Sequence, residues 1–165
     1  MKKILFLIPN LSVGGAEKVL VNLVNNMDKE KFDITVQVLF AGGVNEKFLK
    51  PHIKYKYCYK KIFRGNSKYF CLFKSETLYK RFIKEHYDII VSYLEGPTAR
   101  IVSGCNDKDT KLVSWIHIEQ HTEKALSASF RNFDEAKKCY NKFDNTVCVS
   151  EYVKNDFVNI LNFKK

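Results

Sequence analysis

The chain is short of acid. It carries 18 Asp and Glu residues against 28 Lys and Arg, a formal net charge of +10 over 165 residues. Such a balance points to an acidic partner, either nucleic acid or an anionic membrane surface. No C-x-x-C pair occurs. Cys58, Cys71, Cys105, Cys139 and Cys148 stand apart, an odd and unpatterned set. That excludes a disulfide framework and predicts reduced thiols in a cytoplasmic protein. Long apolar runs are missing too. Met1-Lys2-Lys3 has the charge of an export signal's start, but the apolar run behind it stops at Pro9. This is too short for a signal or a membrane span, and nothing later reaches span length. Repeats, linkers and low-complexity tracts are absent. With 45% hydrophobic and 28% charged residues, the chain reads as one globular domain with a real core. Neither G-x-G-x-x-G nor G-x-x-x-x-G-K-[ST] is present, so both standard phosphate fingerprints are excluded.

What is there begins with residues 3–23, KILFLIPNLSVGGAEKVLVNL. The continuous apolar run 4–9 reads as a strand buried on both faces. A polar turn and the pair Gly14-Gly15 follow. From Ala16 the period becomes helical, with Val19, Leu20, Leu23 and Val24 on one side and Glu17 and Lys18 on the other. This is the opening of a βαβ unit. Without Cβ atoms the two glycines admit a ligand close to the backbone, where the first N–H groups of the helix favour phosphate. They equally suit a plain tight turn, and the residues alone leave both readings open.

Further strands are predicted over 32–40, 53–59, 87–93, 111–116 and 145–149. Helices are predicted over 44–49, in the second half of 54–84 ending near His86, from Pro97 to Ser103, and within 130–140. A closing helix is capped by Ser150, with Val153, Phe157 and Ile160 on one face. Strands alternating with helices predict an α/β fold: a Rossmann-like, doubly wound, mainly parallel sheet with helices on both faces. Ligands in such sheets bind beyond the carboxyl ends of the strands. The Gly14-Gly15 turn, the Glu95-Gly96 turn, and His117 with Glu119 all fall on that edge.

Residues 54–84 hold ten Lys or Arg residues and a single acid, Glu76, with nine aromatics among them. Lys60, Lys61, Arg64 and Lys68 lie in its middle. The mixture suits a membrane surface or a single-stranded nucleic acid, and equally a solvated lysine face over aromatic core contacts. No recognised nucleic-acid motif supports that reading.

The segments IPNLSVGGAEKVLVNL, VSYLEG, SWIH and VCVSEYVKNDF occur in this order. Together they resemble the N-terminal half of the retaining GT-B glycosyltransferases of family 4, across essentially the whole chain. SVGGAEKVL is the most specific piece. Bacterial members that assemble capsule, lipopolysaccharide and other surface polysaccharides look most similar. The resemblance implies two Rossmann-like domains with a cleft between them. The N-terminal one binds the acceptor and meets the membrane, and the C-terminal one binds the nucleotide-sugar. It assigns Gly14 and Gly15 to the donor diphosphate and His117, as catalytic residue, to the donor sugar. Glu95, Gly96, Glu119 and Ser150 become possible donor or acceptor contacts, and neither a metal nor a cofactor is implied.

Two departures stand out. The family's donor domain has two glutamates eight positions apart, and no two glutamates here have that spacing. Ile118-Glu119 follows His117, where many members have Asp or Asn. The expectation is therefore a single N-terminal domain over 1–165, ending where a domain linker would begin. The donor domain would lie outside it, and the fragment alone would be inactive with little donor affinity. The full-length protein would be a glycosyltransferase of hexosyltransferase type. It would act on a lipid-linked glycan at the inner face of the cell membrane, in contact with anionic lipid and not with nucleic acid. The alternative is a non-catalytic, membrane-docking acceptor subunit working with a separate donor-domain protein.

Overall fold

The computed structural model describes residues 1–162. Six strands form one sheet: β1 (Lys2–Ile8), β2 (Phe32–Phe40), β3 (Lys54–Tyr59), β4 (Ile89–Tyr93), β5 (Lys111–Ile116) and β6 (Asn145–Cys148). Every pairing is parallel, and the order is β3-β2-β1-β4-β5-β6. This is the doubly wound Rossmann order, in which the chain reverses its direction of growth between β1 and β4.

Alternation along the strands divides the core. Ile4, Phe6 and Ile8 of β1 share one face with Ile34, Val36, Val38, Val91 and Tyr93. Helix α1 (Gly15–Asn26) lays Leu20, Val21 and Val24 against that face. Leu5 and Leu7 point the other way and meet α3 (Ser75–Phe82) and α4 (Pro97–Val102) through Leu78, Ile101 and Val102. A third cluster joins Ile116 to α6 (Phe133–Tyr140) and α7 (Glu151–Leu161). Helices thus cover both faces, as the alternation predicts. The face beside α7 carries Val153, Phe157 and Leu161 as its buried residues.

Some expected elements change. The helix predicted in residues 54–84 is two, α2 (Asn66–Cys71) and α3, and the second ends at Phe82 rather than near His86. The helix expected at 44–49 is one 3-10 turn, Glu46–Phe48. A short helix, α5 (Glu123–Leu126), lies where none was expected, with the Thr122 hydroxyl accepting from the Ala125 N–H. The connection through α2 is clasped from below by Arg100 of α4, which is fully buried. Its guanidinium donates to the Phe70 and Phe73 carbonyls and pairs with Glu135 at 2.9 Å. This fork satisfies the carbonyl end of α2 and ties it to α6.

Candidate active site

The switch point brings the C-terminal ends of β1, β4 and β5 together. Tyr93 and Trp115 close β4 and β5 on the face that carries α1. Their rings lie 5.1 Å apart, and the Phe6 ring meets Tyr93 at 6.4 Å. The His117 ring sits 4.5 Å from Tyr93 and stacks on Trp115 at 6.1 Å. With Ala16 and Val19 of α1, Ile118 and Val149, these three line a cleft of about 300 Å³.

Two carboxylates hold the segment after β5 through its backbone. One Glu95 oxygen accepts the N–H groups of His117 and of Ile118, the latter at 2.9 Å. Asp156, from α7, accepts the N–H groups of Gln120 at 2.7 Å and His121 at 3.1 Å. The segment after β5 is therefore pinned at both ends by charge-assisted hydrogen bonds. Glu95 reaches it because the turn before α4 is sharply bent: Leu94 and Gly96 both take left-handed φ values, 82° and 88°. A Cβ at Gly96 would also approach the Ser129 hydroxyl at 2.9 Å, so conformation and space both account for this glycine.

Burial sets the electrostatics of the cleft. Burial holds the His117 imidazole below its ordinary pKa, while Glu95, the Trp115 carbonyl and Glu17 pull the other way. The ring is thus a neutral hydrogen-bonding group near pH 7. Burial, helped by the Glu17 charge, pushes the Tyr93 hydroxyl up to about 12. Tyr93 Oη, Trp115 Nε1 and His117 Nδ1 are all buried without a hydrogen-bond partner. Buried polar atoms are normally paired. Three of the unpartnered atoms among the described residues thus surround this cleft, while Tyr55 Oη, Tyr59 Oη and Ser114 Oγ lie outside its lining.

The glycine turn does not line this cleft: Gly14 lines a separate one of about 490 Å³ with Lys18, Asn45 and Phe48. Gly14 is the N-cap of α1, with φ −82° and ψ 158°. A Cβ at Gly15 would meet nothing within 4 Å, whereas one at Gly14 would strike the Glu17 carboxylate. The turn is braced from the loop after β2: the Asn45 N–H donates to the Leu11 carbonyl at 2.9 Å. Gly43 lies so close to Leu11 that a Cβ there would come within 2.3 Å of its backbone.

The remaining candidates do not converge on this cleft. Glu119 is exposed and has no hydrogen bond or ion pair among the described residues. Ser150 caps α7, its hydroxyl accepting from the Val153 N–H at 3.2 Å, and lines a separate cleft of about 380 Å³ between β6 and α7. Lys60, Lys61, Arg64 and Lys68 are all exposed. The aromatics between them are not, which corrects the picture of rings lying at a bilayer: Tyr59, Phe63, Tyr69, Phe70, Phe73 and Phe82 pack inward around Phe40 and Leu39. The large hydrophobic side chains of residues 54–84 that protrude are Tyr57, Ile62 and Leu72, 48%, 68% and 75% exposed. Among the described residues no helix is long and apolar enough to cross a membrane. Nor do any three His, Cys, Asp or Glu side chains there gather as they would around a metal ion.

Sequence reasoning missed Tyr93, Trp115, Asp156 and the seat of Glu17. A signal existed for the first two. Each follows a Val by two positions at the end of its strand, so both had to share the α1 face.

Residues 13–165 match the sequence model of a family described as Glycosyltransferase Family 4. No curated protein matches the chain.

Proposed function

The chain belongs to glycosyltransferase family 4, and from that premise we propose that it is the acceptor-side half of a retaining enzyme. The reaction moves a hexosyl group from a nucleotide-sugar to a lipid-linked glycan in cell-surface polysaccharide synthesis. A donor-binding domain outside residues 1–165 completes the site. The observation that carries this reading is the set of three orphaned polar atoms, Tyr93 Oη, Trp115 Nε1 and His117 Nδ1, around the cleft at the ends of β4 and β5. Sugars present many hydroxyls, and this cleft has polar groups to pair with them.

In the reaction, the bond between the anomeric carbon and the diphosphate oxygen breaks, the acceptor oxygen bonds to the same face of that carbon, and its proton passes to the departing diphosphate. Negative charge develops on the departing diphosphate. The N–H groups at the start of α1 face it with the positive end of the helix dipole, without a required metal. His117 orients the donor sugar by hydrogen bonding, held in place through Glu95 and Asp156. Glu95 acts as a positioning residue, since its inner oxygen is spent on backbone N–H groups.

The basic surface supplies the second part of the reading. Lys60, Lys61, Arg64 and Lys68 dock the protein on the anionic inner face of the membrane, where a lipid-linked acceptor resides. Each is worth about 1 kcal/mol near such a surface. Ile62 and Leu72 take the interfacial place that sequence reasoning gave to the aromatics.

The test is turnover by the complete two-domain enzyme, with the product's anomeric configuration read by NMR. Sugar transfer with retention supports the reading, and inversion or donor hydrolysis alone defeats it. Liposome co-sedimentation tests the docking face: charge reversal of Lys60, Lys61, Arg64 and Lys68 to Glu should abolish salt-sensitive pelleting. Equal pelleting of the reversed protein would leave those residues as an ordinary solvated face.

A further inference from the structure

A second cleft gathers charge away from His117, where α3 packs on the sheet face opposite α1 and meets α6. Lys74, Arg131, Lys138 and Lys142 line it, with two carboxylates, Glu76 and Glu135, and its volume is about 300 Å³. Both carboxylates are already engaged. Glu135 pairs with the buried Arg100 at 2.9 Å and accepts the Arg131 N–H at 2.6 Å. Glu76 pairs with Lys142 at 3.8 Å and accepts the Ser75 hydroxyl at 3.3 Å. The cations are not used up. Lys74 and Lys138 are in no ion pair or side-chain hydrogen bond among the described residues. Arg131 donates from Nε to the Cys71 carbonyl at 2.9 Å, which leaves both of its Nη groups unpaired among those residues. At the rim stands an apolar side chain. Leu72 follows the residue that Arg131 holds, precedes Lys74 by two positions, and is 75% exposed. It also comes four residues after the exposed Lys68, at the end of α2, so the two share a face.

Surplus cations with free N–H donors around one cleft suit a phosphate. An exposed leucine at the rim suits hydrocarbon next to that phosphate. We propose that the cleft between α3 and α6 is a headgroup site for an anionic phospholipid: its phosphate accepts from Arg131 Nη, Lys74 and Lys138, and Leu72 enters the acyl region beside it. The inference rests on the reading that the basic surface meets the membrane, and adds a bound lipid to what is otherwise a diffuse field. It also draws in Arg131 and Lys138, which lie outside the basic stretch of residues 54–84 and join it only through the fold. A free phosphate or a nucleic acid would use the same cations but would have no use for Leu72, so the protruding side chain selects the lipid.

The experiment titrates the isotopically labelled chain with dihexanoyl phosphatidic acid below its micelle concentration, and separately with inorganic phosphate and a short single-stranded oligonucleotide. Amide signals of residues 72–76 and 131–142 report binding. Three variants are compared with wild type: Lys74→Gln with Lys138→Gln, Leu72→Ser, and Lys60→Gln with Lys61→Gln, which removes the same charge elsewhere. All change exposed side chains. Wild type should bind the lipid with shifts in both segments. Loss of Lys74 and Lys138 should weaken it about tenfold or more, and loss of Lys60 and Lys61 by less than about twofold. Leu72→Ser should weaken the lipid about threefold or more and leave inorganic phosphate unchanged. Inorganic phosphate binding as tightly as the lipid, tighter binding of the oligonucleotide, or equal weakening by the two lysine pairs overturns the headgroup site. Silence of these amides at millimolar lipid does the same. Vesicle pelleting separates this result from the docking reading. Salt-sensitive pelleting of a wild type whose amides ignore the soluble lipid keeps the docking face and sinks the cleft. Lipid binding in the cleft without any pelleting keeps the cleft and sinks the docking face.

Discussion

Two glycine turns lie side by side at the switch point, because β1 and β4 are neighbours in the sheet. They use glycine for opposite ends. The Gly14-Gly15 turn has an ordinary extended backbone at Gly14 and open space beyond Gly15. The Leu94-Glu95-Gly96 turn is left-handed at both flanks and tied down. Thr98 Oγ1 donates to the Leu94 carbonyl at 2.8 Å, Ser92 Oγ donates to Thr98 Oγ1 at 3.0 Å, and the Gly96 N–H reaches the Tyr140 hydroxyl at 3.4 Å. One turn keeps room outward for a ligand. The other gives up its freedom to aim a carboxylate at the neighbouring strand end. The positive φ of Leu94 is thus the cost of a fixed His117 backbone.

The sharpest way to break this contrast is the same substitution in both turns. Gly96→Val should lose about 3 kcal/mol or more of stability, since a β-branched residue at positive φ is strained and crowds Ser129. Gly15→Val should stay within about 0.5 kcal/mol of wild type while crippling donor use by the complete enzyme, because its side chain meets only the incoming ligand. Denaturant midpoints and donor kinetics separate the two outcomes. Equal destabilisation would mean that both glycines serve only their turns.

Next in size is the group that the strained turn holds. His117→Ala in the two-domain enzyme should lower kcat roughly 10²-fold, about 2.7 kcal/mol, with an unaltered denaturation profile. Near wild-type turnover would assign the ring to structure. Glu95→Gln should cost about 1–2 kcal/mol of stability, because an amide oxygen accepts the same N–H groups less strongly than a carboxylate. It should lower kcat less than loss of His117 does, and a variant as inactive as His117→Ala would make Glu95 a direct participant.

The smallest effect concerns pH. Burial depresses the His117 pKa in the folded chain, so below the unfolded value, about 6.5, the unfolded chain binds more protons. This contribution is whole above that pH and is lost as pH falls toward the folded value. Wild type should therefore lose slightly more stability than His117→Ala on acidification through this window, read from paired denaturation curves. Parallel curves would show a ring no more buried than in the unfolded chain.

What could be read from the sequence was what short-range pattern determines. The alternation of strands and helices, the glycine turn, the cap at Ser150 and the position of His117 all follow from neighbours a few residues apart. Glu95 was visible as a candidate, but not its partners, because the N–H groups it accepts lie 22 and 23 residues further on and meet it only through the β4–β5 pairing. Asp156 reaches Gln120 across 36 residues, so nothing local could have announced it. The basic stretch misled for a related reason. Its aromatics are spaced for no single face, and only the fold decided that Phe40 and Arg100 would draw them inward.

The central claim is that a sugar-linked diphosphate binds between the Gly14-Gly15 turn and His117. The most direct measurement is a titration of the isotopically labelled chain with millimolar nucleoside diphosphate, read amide by amide. The account predicts weak binding, with the largest shifts at Gly14, Gly15, His117 and Ile118, and their loss in Gly15→Val. Shifts confined to the cleft between β6 and α7, with Gly15 and His117 unmoved, would contradict it.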